Sequence, residues 1–265
     1  MEKNIPVKAI GGLVQNWPWV MAVKPGNAVN GPDDLRGKKI GVISLASGSA
    51  PFARAYVAAA GLNPESDVEL LPVGVGAQAA TALNNGDVDM LALYTQAYAV
   101  IENAGTALEY LENPDVFTGI RSLTFAVSSR TLEEQKDVYT RFLRASYKAM
   151  LFSAENPEAA MQIGYKVFPQ ILAGSTPAER LEADVRSLKA WLATSTPATG
   201  TPAEFGDWGA ISADEWAKTQ AYTLEAGQIT GEVDLGDVWD DSLLAGANEF
   251  DKAAVLEEAS GYVVE

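Results

Sequence analysis

Between Gly37 and Gly105, short apolar runs alternate with segments of helical periodicity, and the order predicts two strand–helix units followed by a third strand. GKKIGVIS (37–44) reads as a strand, SGSAPFARAYVAAAGL (47–62) as a capped helix and DVELLPVG (67–74) as a second strand. VGAQAATALNNG (75–86) gives a second helix and DVDMLALYT (87–95) a third strand. Short links between alternating strands and helices imply a parallel sheet, in which ligands sit beyond the carboxyl ends of the strands. Ser44–Ser49, Val73–Gln78 and Leu93–Gln96 are therefore the positions where a site is expected.

Val7–Val14 and Trp19–Val23 are two further β-type runs, separated by the polar-aromatic segment Gln15–Pro18 and followed by a Pro/Gly/Asn-rich connection at 25–37. GIRSLTFAVSS (119–129) is β-rich. From 131 to 168 Val138, Phe142, Ala145, Ala149 and Phe152 recur at helical spacing, with a break at Asn156–Pro157, where Asn can cap and Pro suits a first turn. Pro177–Ala193 is amphipathic, 195–209 is a Thr/Pro/Gly loop, and Ser212 with Glu215 forms a capping box for a helix over 212–228. So large a helical tail needs a sheet to cover. The expected layout is a first lobe made from 1–30 and 119–265, a second lobe inserted at 36–118, and a hinge at crossings near Trp19–Val23 and Ile120–Val127.

Composition narrows the chemistry. The 265 residues, 48% hydrophobic, suffice for a large core in one big or two modest domains. With 35 acidic and 19 basic residues, the net charge of −16 disfavours nucleic acid or an anionic membrane surface as partner. The chain has neither cysteine nor histidine, which removes disulfides, thiolate nucleophiles, Ser–His pairs and almost every zinc or haem site. No cofactor and no metal are expected. The start MEKNIPVKAIGGL lacks the features of a signal peptide, and no apolar run reaches the length of a membrane span.

LVQNWPWVMAVKPGNAVNGPDDLRGKKIGV, SGSAPFARAYVAAAGLNPESDVELLPV, NNGDVDMLALY and WAKTQAYTLEAGQITGEVDLGDVWDDSLLAGANEF together resemble the substrate-binding proteins of ABC importers. The branch is the one that takes up sulfonates, taurine, nitrate and the thiamine pyrimidine. The resemblance implies a periplasmic-binding-protein-like α/β fold of type II, with two α/β lobes joined by a hinge and closing over a ligand. It also implies a periplasmic or extracellular location, ABC permease subunits as partners, and a monomer. Family members begin with a strand–helix–strand–helix segment, so the first lobe is expected to be incomplete here, leaving helix faces of 131–168 uncovered. A eukaryotic branch makes the pyrimidine with Cys and His residues, and this chain has neither.

The candidate ligand-binding residues are Asn16, Trp17, Ser47, Gly48, Ser49, Gly76, Gln78, Tyr94 and Gln96. Ser47–Gly48–Ser49 lies where a strand turns into a helix; first-turn N–H groups and two hydroxyls suit a carboxylate, sulfonate or phosphate, while simple capping is the alternative. Gly76 and Gln78 repeat that geometry at the next helix, where the glycines could equally serve only the turn. Tyr94, Thr95 and Gln96 are read as the end of the third strand, offering an aromatic face and an amide, with packing as the competing role. Trp17, in a polar turn beside Asn16, could meet a ligand ring, whereas Trp19 is expected to pack inside. Arg54, Ser128 and Ser129 are weaker candidates, and Phe205, Trp208, Trp216 and Trp239 are read as packing residues.

Asp33–Asp34, Asp87–Asp89, Glu133–Glu134 and Asp240–Asp241 lack calcium-loop spacing and read as turn or surface residues. The function expected is that of a solute-binding component of an ABC importer, taking a sulfonate, a nitrate-like anion or a thiamine-precursor pyrimidine into the interlobe cleft without chemistry of its own. A ligand-sensing module of the same fold and a carboxylate-based enzyme are the alternatives.

Overall fold

The apolar runs and the glycine-bounded links place strands at Val7–Gly12 (β1), Trp19–Val23 (β2), Lys39–Val42 (β3), Glu69–Pro72 (β4), Met90–Tyr94 (β5), Glu109–Tyr110 (β6) and Thr124–Ser128 (β7) in the computed structural model. The longer helices are Ser49–Ala59 (α1), Ala77–Asn85 (α2) and Thr95–Asn103 (α3), and then, after the short Ser129–Leu132 (α4), Lys136–Glu155 (α5), Pro157–Val167 (α6), Pro177–Ser195 (α7) and Ala213–Glu225 (α8). Short helices at Leu235–Val238 (α9) and Leu244–Ala247 (α10) lead to Lys252–Ser260 (α11). The structure describes residues 6–29 and 31–263; the chain start Met1–Ile5, part of the leader question, lies outside them. No helix among the described residues is long and apolar enough to cross a membrane.

The chain divides into two compact units: one holds the segments up to Trp17, Gly119–Gln220 and Gly231–Glu265, the other Pro18–Thr118 and Ala221–Thr230. In the second unit five strands lie in the order β4-β3-β5-β2-β6. β4, β3 and β5 are parallel, as short βα links require, whereas β2 runs antiparallel to both β5 and β6. The sheet is therefore mixed rather than parallel throughout. It also takes in β2, which corrects the expectation that residues up to 30 share a lobe with 119–265 and that Trp19–Val23 forms part of the hinge. The physical reason is burial: Met21, Ala22 and Val23 are fully covered, as a strand between two neighbours with both faces packed must be.

Alternation across this sheet separates its two faces. Ala22, Leu91 and Leu93 pack with Ala79, Ala80 and Leu83 of α2 and Ala97, Tyr98 and Ile101 of α3. α1 packs on β3, β5 and β2 instead, and its Phe52 and Tyr56 rings meet Phe117. Tyr222, from the returning end of α8, closes on Phe117 at 6.0 Å. Thr95 and Gln96 do not end a strand; they open α3, and the Thr95 N–H makes the last bond to the β2 side, at the Pro18 carbonyl.

In the first unit β1 and β7 pair antiparallel, from Val7 opposite Ser128 to Gly12 opposite Thr124. Trp239 adds a parallel bridge to Ala9. Helices supply most of the core, in which Ile10, Leu132, Leu143, Tyr147, Leu151, Phe205, Trp208 and Leu243 are buried together. The Tyr147 and Trp208 rings stack at 6.2 Å. Asn156 caps α6 through the Ala159 N–H, with Pro157 in the first turn, and Ser212 and Glu215 form their capping box at α8. Phe205 and Trp208 are core residues, as expected, and Trp216 lies against Trp239 at 5.6 Å.

Candidate functional site

The second unit carries a topological switch point. The chain leaves β3 through α1 to reach β4 on one side, then returns through α2 to β5 on the other. Such a reversal opens a crevice at the carboxyl ends of β3 and β5. α1 and α3 begin there, and a helix start carries the positive end of a dipole. At α1 the cap is Gly48, and the backbone N–H groups of Gly48 and Ser49 meet no acceptor among the described residues.

The loop before α1 is held by its own hydroxyls. Ser49, fully buried, accepts from the Ile43 N–H at 2.8 Å. Ser47 accepts from the Ser44 N–H and donates to the Ser44 carbonyl at 2.8 Å. The two hydroxyl oxygens lie 2.7 Å apart. Each serine has one hydrogen, so with Ser49 donating to Ser47 and Ser47 to Ser44 both are committed. The expectation that these hydroxyls donate to a ligand therefore changes: they shape the loop, and the donors left over are backbone N–H groups.

Aromatic residues gather at the same edge. Trp19 opens β2 and stands directly opposite Tyr94 in the β2–β5 register. Their rings meet edge to face at 5.8 Å, and Phe52 stacks on Trp19 at 6.2 Å. Asn113 Nδ2 donates to the Trp19 carbonyl at 2.8 Å. A Cβ on Gly48 would sit 3.0 Å from Trp19 Cζ2, so the indole lies across the first turn of α1 and glycine is what admits it. Trp19 and Tyr94 are both half-buried. The expectation that Trp19 packs inside is thus corrected. Its place as the first residue of a strand antiparallel to β5 sets it beside the carboxyl end of its neighbour, and that pairing is not written in the local sequence.

The other candidates distribute differently. Gln96 follows Tyr94 into the first turn of α3. Gly76, at φ 59, caps α2 in a conformation that favours glycine. Gln78 folds back over Gly74, where its Oε1 would be 2.5 Å from an added Cβ, and borders an open depression of about 520 Å³ lined also by Leu71, Val73, Ala82 and Asp87. Asn16 and Trp17 belong to the first unit. The Asn16 side chain donates to the Ala193 and Thr196 carbonyls, both at 3.0 Å, and its N–H bonds the Thr194 carbonyl. Both amide hydrogens of Asn16 thus cap the end of α7. Arg54 pairs with Glu65 at 2.8 Å on the surface, and Ser128 stands at the N-cap position of α4 without a capping bond from its side chain.

Electrostatics at the edge are those of a neutral, donor-rich surface. Tyr98, buried beneath it, accepts from the Leu93 N–H at 2.9 Å and shares its proton between the Leu91 and Val20 carbonyls. Burial first of all holds its phenol well above the usual range, so it stays neutral. Tyr56 is pushed up to about 12, by burial and then by Glu112. Among the described residues no three acidic side chains gather in a way that could hold a metal ion. In the first unit a depression of about 710 Å³ runs along α6 and α11 past Lys166 and Tyr262 and is wide open. It lies at no strand end.

The sequence profile of the NMT1/THI5 like family matches residues 1–160. The riboflavin-binding protein RibY of Chloroflexus aurantiacus is 23% identical over 248 residues, which are 93% of this chain and 67% of that protein. Among solved structures, a protein of Bordetella bronchiseptica RB50 superposes with a TM-score of 0.65 at 20% identity, over 94% of this chain and 76% of that one. The periplasmic aliphatic sulphonate binding protein SsuA of Escherichia coli gives 0.59 at 17% identity, over 91% and 71%. The desulfurization enzyme DszB, as a mutant in complex with biphenyl-2-sulfinic acid, gives 0.58 at 15% identity, over 92% and 79%. These likenesses show the periplasmic-binding-protein fold.

Proposed function

We propose, from the premise that this chain belongs to the NMT1/THI5-like family, that it captures a small organic solute bearing an anionic group and hands it to the membrane permease of an ABC importer. The single observation that supports this most is the convergence at the β3/β5 switch point: the α1 and α3 helix starts and the Trp19–Tyr94 pair share one strand edge. Backbone N–H groups at a helix start suit a sulfonate or carboxylate. Aromatic faces beside them suit the apolar remainder of the solute. Periplasmic SsuA and riboflavin-binding RibY, which share this fold or sequence, support an exported binder of an anion or of a flat ring.

A second reading, catalysis, has DszB behind it. This chain carries no cysteine and no histidine, so thiolate and imidazole chemistry have no residue to run on, and burial holds Tyr98, beneath the edge, neutral. Calorimetric titration of the full chain against alkanesulfonates, arenesulfonates, carboxylates, riboflavin and pyrimidines tests the proposal. The expected result is saturable binding of one class, with the ligand recovered chemically unchanged. Absence of binding across the panel, or release of sulfite or any other product, overturns it.

A further inference from the structure

We infer that Trp19, set by Gly48 and Tyr94, is the specificity-determining residue of this edge and makes it select an aromatic over an aliphatic body at equal charge. The inference rests on the solute-binding reading above and deepens it.

Two ring contacts and one backbone bond set Trp19 in place before any ligand arrives. Phe52 stacks behind it at 6.2 Å and an interplanar angle of 30°. Tyr94 meets it edge-on at 5.8 Å and 89°. Its carbonyl is held by Asn113 at 2.8 Å. A ring fixed in this way gives up little conformational freedom on binding, which is what preorganisation contributes to affinity. It nevertheless keeps part of its surface open, and its Nε1–H makes no hydrogen bond to any described residue, so the indole also offers a donor at its rim. Pure core packing would bury the ring.

Gly48 makes the arrangement possible. An added Cβ would stand 3.0 Å from Cζ2, 3.6 Å from Cη2 and 3.7 Å from Cε2 of Trp19. A side chain at 48 makes the indole give by a few tenths of an ångström. The open N–H group of Gly48 and the indole therefore occupy neighbouring positions, with the N–H of the buried Ser49 behind them. An anion seated on the N–H groups has its organic body directed along aromatic surface, where a flat ring gains stacking and edge-to-face contacts that an alkyl chain lacks.

The test is a titration of the full chain with benzenesulfonate and with butane-1-sulfonate, which share one charged group and differ in the body attached to it. The expected result is about three- to tenfold tighter binding of benzenesulfonate. Trp19→Ala should remove that preference, weakening benzenesulfonate more than butane-1-sulfonate, and Trp19→Phe should keep most of it. Gly48→Ala tests the same point without touching an aromatic residue and should weaken benzenesulfonate selectively, with the melting temperature recorded for each variant. Equal affinities in the unmodified chain, or equal losses for both sulfonates in Trp19→Phe and Gly48→Ala, overturn this inference and leave the solute-binding reading standing. Failure of both sulfonates and of every other solute in the wider panel overturns both.

Discussion

The two units solve the same problem, closing a core around a sheet, with different materials. The second unit uses one nearly continuous run of chain, and its central strands are so well covered that Ile40, Val42, Met21, Ala22, Leu91, Ala92 and Leu93 have no exposed surface. The first unit gathers three distant segments around two strands, and no residue of β7 is fully buried. There polar clamps do much of the joining: Asn16 on the end of α7, Arg121 on Glu215 and on the Gln15 carbonyl, Asn156 on both α6 and the Ala259 carbonyl. The titration behaviour divides in the same way. Every carboxylate with a clearly lowered pKa, namely Glu179, Asp184, Glu204, Glu215 and Asp240, belongs to the first unit, whereas the shifted groups of the second are tyrosines. Local strand–helix links leave the polar groups of the strand ends available for function. Long returns spend them on assembly.

The comparison can be broken where each unit is most dependent on its own device. Gly209→Ala in the first unit combines a positive φ with a Cβ 2.0 Å from the Tyr147 hydroxyl, and should cost about 2–4 kcal/mol in denaturant unfolding. Arg121→Met strands Glu215 in a half-buried site and releases the Gln15 carbonyl; a loss of about 2–3 kcal/mol is expected, with Glu215→Gln in the Arg121→Met background recovering part of it. In the second unit Tyr98→Phe leaves the Leu93 N–H without its phenolic acceptor and should cost about 1–2 kcal/mol, read in the same assay.

Acid sharpens the contrast further. Asp184 is held low first by its bond from Arg180, and Glu215 by Ser212 and Arg121 against the opposing effect of its own burial. Groups lowered in the folded state contribute stability that is whole above their ordinary values, 4.5 for Glu and 3.8 for Asp, and is lost as pH falls through the lower folded values. Hydrogen exchange at about pH 6 and about pH 4, corrected for intrinsic rates, should show the first unit loosening before the second. Alkali should not discriminate, since buried tyrosines occur in both units.

The strand–helix order of residues 37–94 was legible because each element carries its own periodicity and its own punctuation. The break at Asn156–Pro157 and the box at Ser212–Glu215 were legible for the same reason: a cap is a local bond between near neighbours. β2 was misassigned because WVMAV looks alike in either unit, and only its pairing with β5 and β6 decides. Trp19 was misread for that same cause, since its place at a strand end depends on running antiparallel. The serines stand at the turn into α1 that the strand–helix order predicts, yet their partners, Ile43 and Ser44, are backbone groups just past the preceding strand that no side-chain pattern announces. Asn16 caps a helix that ends some 180 positions later, a contact beyond the reach of local reasoning.

The central claim is that the carboxyl edge of β3 and β5 is the ligand face, and hydrogen exchange of the full chain with and without the tightest-binding solute of the panel tests it most directly. Protection should concentrate at residues 43–50 and 94–98, where α1 and α3 begin, and at Trp19–Met21 beside them. Protection confined to the depressions along α2 or α6, with the starts of α1 and α3 unchanged at saturation, would contradict the account.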